Sequence, residues 1–373
     1  MLPKPHQIGI IGYGLSAKIF HIPYLMANRD FELRAIVQRS GDEAAQENPG
    51  VRVYRSAGEL FADAAAAAVD VVVVATPPET HFGIVVAALE GGMHVIVEKP
   101  FCPSSRECNE LITLAKNKGL VLTEFQNRRW DADFVTLRKI LDDGRLGRVV
   151  ELESHFDRYE SEVPVSGSWA GGHGDVCGRG SGSGSGAIYD LGTHLIDQVV
   201  VGFGLPCKVT GFLGVQRGLR DEGGPQDACT VLLHYESGLL VTVKASAVSP
   251  ERAQLRFWVR GDKGSFKKYH LDPQESQLVG GMKVNNPMFG WENTENAGVI
   301  TLATDGILQE MPCPNLPPPT YRAFYDHLSR ALAGQGDVPV SPKDARNVIR
   351  LVELATQSSE TGATITLNPE EFA

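Results

Sequence analysis

The chain has 373 residues, and at about 150 residues per domain this length predicts two domains. Hydrophobic residues make up 42% and charged residues 21%, which excludes the apolar-poor, highly charged composition of disordered chains. The formal net charge is −10, and no strong basic cluster offsets it, so binding to nucleic acid or to an anionic membrane is disfavoured.

The cysteines and the first residues indicate where the protein is found. Six cysteines are scattered with no C-x-x-C pair, so the sequence predicts neither a disulfide framework nor a zinc site. The first residues enter an apolar strand without a signal-peptide pattern, and the longest apolar stretch is interrupted at Asp70. We therefore expect a cytoplasmic protein that spans no membrane.

The first third of the chain alternates short β-branched runs with segments of helical period. Strands are predicted at 8–11, 31–37, 69–75, 94–97 and 120–125, and helices at 16–27, 58–68, 81–89 and 104–118. The run 69–75 is almost entirely apolar, as expected for a central strand covered on both faces. Such alternation is typical of βαβ units around a parallel sheet, and it predicts a doubly wound, Rossmann-type α/β domain over 1–126.

Beyond about residue 147 the pattern changes to longer strands joined by short turns. They are predicted at 149–159, 208–216, 228–235, 239–246 and 254–260 as an antiparallel meander, with helices at 321–332 and 342–357. This predicts a second, α+β domain over 127–373 with an open, mostly antiparallel sheet. Within it, 171–186 is so rich in glycine and serine that we expect a flexible loop.

A glycine motif follows the first predicted strand and opens the first helix. It runs Gly12-Tyr13-Gly14-Leu15-Ser16-Ala17, which is G-x-G-x-x-A. Gly12 permits the tight turn, Gly14 lets the backbone approach a pyrophosphate, and the small Ala17 allows close packing of helix on sheet. A plain strand-to-helix turn is the alternative for a bare match, but the position at the start of a βα alternation favours dinucleotide binding.

The residues after the second strand bear on the choice of cofactor. Sites for NAD usually carry a carboxylate there, roughly 20 residues beyond the glycines. This chain has Arg39 and Ser40 instead, and a guanidinium and a hydroxyl suit a 2′-phosphate. NADP(H) is therefore predicted in preference to NAD(H). The alternative is that Arg39 is an ordinary solvated loop charge.

Two motifs follow the next parallel strands, at the sheet edge where ligands bind in open α/β folds. Thr76-Pro77 either lines the cofactor groove or simply ends its strand. In Glu98-Lys99-Pro100 the proline restricts Lys99 to extended backbone, so that its ammonium could stabilise developing alkoxide charge on a substrate. An exposed strand-end lysine is the alternative interpretation.

A histidine with two nearby carboxylates is the other candidate for chemistry. Asp190 and Asp197 lie four and three positions from His194, so the three residues share a face of a predicted helix. An imidazole oriented by carboxylates can exchange a proton with a substrate hydroxyl. The alternative is that Asp190 caps a helix and His194 is a core residue. No further ligand cluster accompanies them, so no metal site is predicted.

Three more groups are candidates for contact with a polar substrate. Packing or surface roles are the first interpretation of two of them, whereas Trp169 could equally stack on a sugar ring or anchor the loop that follows it. Asn127 and Arg129 belong to the polar segment NRRW, and Trp169 precedes the glycine-rich loop. Tyr321 and Tyr325 lie four apart on one helical face.

Taken together, these motifs resemble the Gfo/Idh/MocA oxidoreductases over essentially the whole chain. The glycine turn, Thr76-Pro77, Glu98-Lys99-Pro100 and DLGTHLID occur in that order and are followed by the predicted antiparallel sheet. Within the family, the segments GYGLS, VEKP, NRRWDADF and YDLGTHLIDQ are most similar to the bacterial NADP-dependent scyllo-inositol dehydrogenases.

The resemblance implies hydride transfer between nicotinamide C4 and a secondary alcohol carbon of a cyclic polyol or sugar. Lys99 would hold and polarise the reacting oxygen, His194 would act as general acid and base, and Asp190 would orient the substrate or His194. The cofactor-binding residues expected on this basis are Gly12, Gly14, Leu15, Ser16, Arg39, Ser40, Thr76, Pro77, His81, Glu98, Lys99 and Asn127. The expected substrate-binding residues are Lys99, Arg129, Trp169, Asp190, His194 and Tyr321.

The resulting hypothesis is an NADP(H)-dependent oxidoreductase acting on a small-molecule polyol or sugar. A non-catalytic NADP-binding regulator of sugar metabolism is the alternative, which the joint presence of Lys99, Asp190 and His194 disfavours. An open sheet leaves one face to be covered, so we expect a homodimer or homotetramer. The stretch 161–186 is longer and richer in glycine than expected for inositol enzymes, which leaves the choice of polyol or sugar open.

Overall fold

The computed structural model describes residues 4–159, 186–217 and 226–372, which divide into two compact units. The first unit comprises the chain to Asn127 together with Ser276–Phe289 and Tyr321–Arg346. The second unit comprises Arg128–Glu275, Gly290–Thr320 and the chain from Asn347 onward. The two late segments of the first unit lie within the range 127–373 that the sequence analysis assigned to the second domain.

The first unit is built on a six-stranded parallel sheet in the order β3-β2-β1-β4-β5-β6. Its strands are β1 (His6–Ile11), β2 (Phe31–Val37), β3 (Arg52–Tyr54), β4 (Val71–Val74), β5 (His94–Glu98) and β6 (Leu122–Phe125). The sheet confirms the predicted Rossmann architecture. All four β4 valines are fully buried, as expected for a central strand.

The helices between these strands begin and end at recognisable signals. They are a π-helical turn at Ala17–His21 and α1 (Ile22–Ala27), α2 (Glu43–Glu47), α3 (Ala57–Ala62), α4 (Ala64–Ala67), α5 (His81–Glu90) and α6 (Ser105–Lys118). Helix α6 starts at a reciprocal cap between Ser104 and Glu107 and stops at Gly119, whose backbone is left-handed.

The alanine-rich segment 58–68, expected as one helix, is instead divided at Asp63 into α3 and α4. The Asp63 carboxylate accepts hydrogen bonds from Arg52 (3.0 Å) and Tyr54 (2.6 Å). We attribute the break to this side-chain pairing, because an aspartate engaged outside the helix competes with continued helical geometry.

The second unit contains a nine-stranded mixed sheet in the order β14-β13-β12-β11-β7-β10-β9-β8-β15. Its strands are β7 (Val149–Asp157), β8 (Lys208–Gly214), β9 (Ala228–His234), β10 (Leu240–Ser246), β11 (Leu255–Gly261), β12 (Gly264–Tyr269), β13 (Gly298–Thr304), β14 (Ile307–Cys313) and β15 (Ile365–Thr366). The mostly antiparallel character is confirmed, but the simple meander is wrong. Strand β7 lies between β11 and β10 and runs parallel to β10, because long-range pairing sets its place.

The remaining helices are α7 (Ala132–Asp142), α8 (Thr193–Phe203) after a π-helical turn at Ile188–Gly192, α9 (Gln274–Val279), α10 (Arg322–Leu332) and α11 (Pro342–Thr361). The core of the second unit buries Leu152 and Phe156 of β7 together with Leu195 and Ile196 of α8. Gly211 is needed for this packing, since an added Cβ would collide with the Ala355 carbonyl of α11. Among the described residues no helix is long and apolar enough to cross a bilayer.

Candidate active site

The glycine turn has the shape that a dinucleotide requires. Gly12 has φ +104°, and a Cβ there would collide with the carbonyl oxygen of Ala75. At Gly14, by contrast, an added Cβ would meet no atom within 4 Å, so open space lies against the backbone. Ala17 is fully buried and Leu15 is 53% exposed. The turn therefore fits the approach of a pyrophosphate at Gly14.

The loop after β2 is held by its neighbours while Arg39 stays exposed. Gln38 donates to Glu43 and accepts from the Ala44 amide at 2.8 Å, and Arg55 donates to Asp42 at 2.7 Å. Arg39 and Ser40 are both exposed, and Arg39 forms no hydrogen bond or ion pair with any residue that the structure describes. Both nearby carboxylates, those of Asp42 and Glu43, already have partners in the loop.

His81 joins two loops at the carboxyl edge of the sheet. Its imidazole is fully buried, with Nε2 2.9 Å from the Thr76 carbonyl oxygen and Nδ1 3.0 Å from the Pro100 carbonyl oxygen. Burial lowers the pKa of His81, and the hydrogen bonds to these carbonyls act in the opposite direction. Predicted as a cofactor-binding residue, His81 here links the Thr76-Pro77 loop to the backbone after Lys99.

Glu98 is the centre of a buried polar cluster beside Lys99. Its Oε1 accepts hydrogen bonds from the Ser16 hydroxyl and, at 2.9 Å, from His21 Nε2, while its Oε2 accepts from the Lys99 amide at 3.0 Å. Burial acts to raise the pKa of Glu98, but the hydrogen bonds and charges of His21, Ser16 and Lys99 outweigh it and lower that pKa. Lys99 is half-buried, and the Lys99-Pro100 peptide bond is cis.

Sequence reasoning missed His21 and assigned Tyr325 only to packing or a substrate pocket. His21 Nδ1 lies 2.6 Å from the Tyr325 hydroxyl, 304 residues away in the chain. Tyr321 is also fully buried and packs edge-on against Phe20 at a centroid distance of 6.1 Å. The segment Tyr321–Arg346, which contains both tyrosines and α10, belongs to the first unit.

In the second unit, His194 lies in the first turn of α8. It is buried, with its ring 6.5 Å from that of Phe156. Asp190 lies in the preceding π-helical turn, Ile188–Gly192, in which backbone hydrogen bonds span five residues rather than four. Arg129, which was predicted to bind substrate, donates two hydrogen bonds to Asp197 at 2.8 and 2.6 Å. The two residues therefore form a bidentate ion pair.

The polar segment before α7 is more buried than expected. Asn127 is buried at the end of the first unit. Arg128, also buried, pairs with Asp131 and Glu275 and stacks over Phe156 at 4.5 Å. Trp169 and residues 171–185 of the glycine-rich loop lie outside the described residues.

Two buried aspartates near the start of α7, Asp131 and Asp272, were not anticipated from the sequence. Asp272 accepts from the Ala132 amide at 2.7 Å and from the Gln274 amide at 2.8 Å. Burial and the nearby Asp133 charge nevertheless raise the pKa of Asp272 to about 7. Burial likewise raises the pKa of Asp131. In the described part of the chain, no cluster of three or more His, Cys, Asp or Glu side chains could hold a metal ion.

Comparison with known proteins decides the family. Residues 6–126 match the model of an oxidoreductase family with an NAD-binding Rossmann fold, and residues 134–267 match the GFO/IDH/MocA C-terminal domain. The chain belongs to the Gfo/Idh/MocA oxidoreductase family. This confirms the resemblance drawn from the motifs and the expectation of a dehydrogenase or reductase, and it establishes an NAD(P)-binding fold.

Relatives of this Gfo/Idh/MocA protein match it along nearly the whole chain. It is 38% identical to the uncharacterized oxidoreductase C115.03 of Schizosaccharomyces pombe, over 97% of this chain and 100% of the relative. It is 30% identical to the Bacillus subtilis scyllo-inositol 2-dehydrogenase (NADP(+)) IolW, over 97% and 96% of the two chains. Among solved structures, YPO2259 from Yersinia pestis aligns with a TM-score of 0.87 at 33% identity, over 98% of each chain.

Proposed function

We propose that this protein is an NADP(H)-dependent oxidoreductase that interconverts a secondary alcohol and a ketone on a cyclic polyol or sugar. The observation that carries the proposal is the anchored lysine: Lys99 follows the carboxyl end of β5, with its amide bound to the buried Glu98 carboxylate. A cation carried at the ligand-binding edge of a parallel sheet can stabilise the charge that develops on a reacting oxygen.

The choice of NADP(H) is supported by the loop after β2. Arg39 is exposed there, and the neighbouring Asp42 and Glu43 carboxylates are engaged by Arg55 and Gln38. A guanidinium can bind a 2′-phosphate with charge-assisted hydrogen bonds, and Arg39 and Ser40 stand where sites for NAD usually carry a carboxylate for the ribose hydroxyls. Two related Bacillus subtilis proteins, IolW and IolU, are named as NADP(+) enzymes.

Each candidate residue has a role in the reaction. Bound NADP(H) supplies or accepts the hydride. Gly12 and Gly14 shape the turn under its pyrophosphate. Lys99 donates a hydrogen bond to the reacting oxygen and stabilises its charge, and His194 gives or takes the proton of that oxygen. Asp190 orients His194 or the substrate.

The proposed substrate class is supported by the inositol dehydrogenase relatives IolW and IolU, which are 30% and 28% identical to this chain.

We further propose a homodimer or homotetramer. Phe212 of β8 and Leu308 of β14 are 61% and 74% exposed, so apolar side chains on the large sheet call for a covering surface. Light scattering at micromolar concentration tests this assembly, and a monomer would contradict it.

The test of the proposed function is NADPH consumption with a panel of inososes and cyclic ketoses, alongside NADPH binding measured by fluorescence. We expect turnover of at least one cyclic ketone by the wild type and only a small residual rate with Lys99→Ala, with both proteins binding NADPH. Binding without turnover on every member of the panel would favour the regulatory alternative. Absence of NADPH binding would overturn both.

A further inference from the structure

A continuous hydrogen-bonded chain of buried side chains runs from α10 to the backbone of Lys99. The Tyr325 hydroxyl lies 2.6 Å from His21 Nδ1, His21 Nε2 lies 2.9 Å from Glu98 Oε1, and Glu98 Oε2 lies 3.0 Å from the Lys99 amide nitrogen. Tyr325 and His21 are fully buried, and Glu98 is buried as well. All four residues belong to the first unit.

The direction of these hydrogen bonds follows from the chemistry of each group. An ionised carboxylate can only accept, so the His21 hydrogen that faces Glu98 is on Nε2. Burial, with the charge of Glu98 and the neighbouring Tyr24, raises the pKa of Tyr325, which keeps its hydroxyl protonated. The hydroxyl can then donate to Nδ1. In this arrangement Tyr325 fixes the His21 tautomer, and His21 fixes the carboxylate.

The surroundings leave His21 little freedom to reorient. Its ring is 4.3 Å from that of Phe125 and meets Tyr325 nearly at right angles. Tyr325 in turn stacks on Tyr24, at 5.9 Å between ring centroids and 13° between planes. A tightly packed aromatic wall holds rotamers in place and excludes water, which strengthens the polar contacts that it encloses.

Lys99 is thereby held on both sides along the backbone. On its amino side, Glu98 binds the Lys99 amide and also accepts from Ser16 in the glycine turn. On its carboxyl side, His81 binds the Pro100 carbonyl at 3.0 Å. The same carboxylate therefore connects the cofactor turn to the backbone that carries the proposed catalytic ammonium.

We propose that Tyr325 and His21 are positioning residues for Lys99, acting through Glu98 to set the direction of the lysine for hydride transfer chemistry. The proposal rests on the proposed function, because it presumes that Lys99 acts on the substrate oxygen. It assigns to residues at the two ends of the first unit's sequence a share in turnover without contact with the substrate. Catalytic geometry depends on such support, since misplacement by about 1 Å can cost about a hundredfold in rate.

The first experiment compares variants of His21 and Tyr325 with the wild type. His21→Leu removes the donor to Glu98, whereas in His21→Gln the side-chain amide can still donate to it. We expect kcat to fall by about 10 to 100-fold in His21→Leu and by less in His21→Gln, because placement rather than binding is lost. We expect cofactor binding to be retained in both variants, with the Kd for NADPH, measured by fluorescence, changing by less than about threefold.

Tyr325→Phe covers the case in which His21→Leu does not fold. It removes one hydroxyl while His21 still donates to Glu98, and we expect kcat to fall by about three to tenfold with KM little changed. Tyr24→Phe is the matched control, since it removes a hydroxyl from the stacked neighbouring ring outside the hydrogen-bonded chain. We expect wild-type kcat for that control.

A double-mutant cycle separates positioning from a general structural effect. In single-turnover reactions with a Lys99→Ala background, Tyr325→Phe should have no further effect on the residual rate. Equal losses in the wild-type and Lys99→Ala backgrounds would overturn the inference, as would wild-type kcat in folded His21 and Tyr325 variants. If Lys99→Ala itself retained full turnover, the proposed function would fail instead, so the two failures are distinguishable.

Discussion

The two units hold their candidate catalytic side chains by different physical means. In the first unit, Lys99 follows a buried parallel strand. Glu98 binds the Lys99 amide, and His81 binds the carbonyl of Pro100, the next residue. In the second, His194 lies near the start of a helix whose Asp197 is paired with Arg129, in a unit that also buries raised-pKa acids such as Asp272. The first unit thus uses hydrogen bonds to the backbone, whereas the second unit supports its helix with a largely buried ion pair.

This comparison predicts its largest effect at Lys99. Replacement by alanine removes the cation without touching the amide that Glu98 binds, so the fold and cofactor turn should be retained. We expect kcat to fall by about a thousandfold or more, the size of loss seen when a transition-state donor is removed. Stopped-flow NADPH oxidation measures the rate, with fluorescence titration as the control for binding. A loss below tenfold would contradict a catalytic role.

The second unit should show its effect in proton transfer. We expect His194→Asn to lower kcat by about 10²- to 10³-fold, within the range for general acid–base catalysis. The pH dependence of kcat should flatten as well, since a titrating group has been replaced by an amide. Steady-state rates across pH measure both changes. An unchanged pH profile would assign the proton transfer to another residue.

Removing charge from the Arg129 and Asp197 pair tests the ionic support of α8. We expect Asp197→Asn to destabilise the protein by about 3 kcal/mol, because a largely buried guanidinium loses its carboxylate. The exposed pair between Lys139 and Asp143 on α7 provides the control, and Asp143→Asn should cost no more than about 1 kcal/mol. Urea denaturation measures both, and equal losses would show that the pair contributes little.

We expect cofactor selectivity to depend on Arg39 in the first unit. We expect Arg39→Ala to weaken NADPH binding by about 10 to 100-fold, the equivalent of about 1.5 to 3 kcal/mol for a charged hydrogen bond. Binding of NADH should stay within about twofold, because it has no 2′-phosphate. Titrations with both cofactors give the ratio. Parallel losses for the two would place Arg39 away from the phosphate.

The smallest effect concerns pH and stability in the second unit. The pKa of Asp272 is about 7 in the folded protein, above its unfolded value of about 4. The folded state therefore binds more protons in this window, so its stability falls as pH rises from about 4 to 7. We expect Asp272→Asn to flatten the change of Tm with pH there, with exposed Asp337→Asn as control. An unaltered slope would show that the change of Tm with pH arises from other titrating groups.

The parts of this molecule that could be predicted from the sequence are those determined by local sequence patterns. Five of the six strands of the first unit follow from apolar runs, but the short β3 contains no such run and was not predicted. The turn at Gly12 follows from a motif whose steric demand is local. The insertion of β7 beside β10 and the contact of Tyr325 with His21 depend on partners far apart in sequence. Periodicity carries no information on such pairings.

The most direct test of hydride transfer follows the hydrogen itself. NADPH carrying deuterium in place of both hydrogens on nicotinamide C4 is incubated with the enzyme and a cyclic ketone that it reduces, and the product is analysed by NMR. We predict deuterium on the new carbinol carbon with wild type, and at most a trace of labelled product with Lys99→Ala over the same reaction time. Unlabelled alcohol from the wild type, or no alcohol from any cyclic ketone while NADPH is bound, would contradict direct hydride transfer to the substrate carbon.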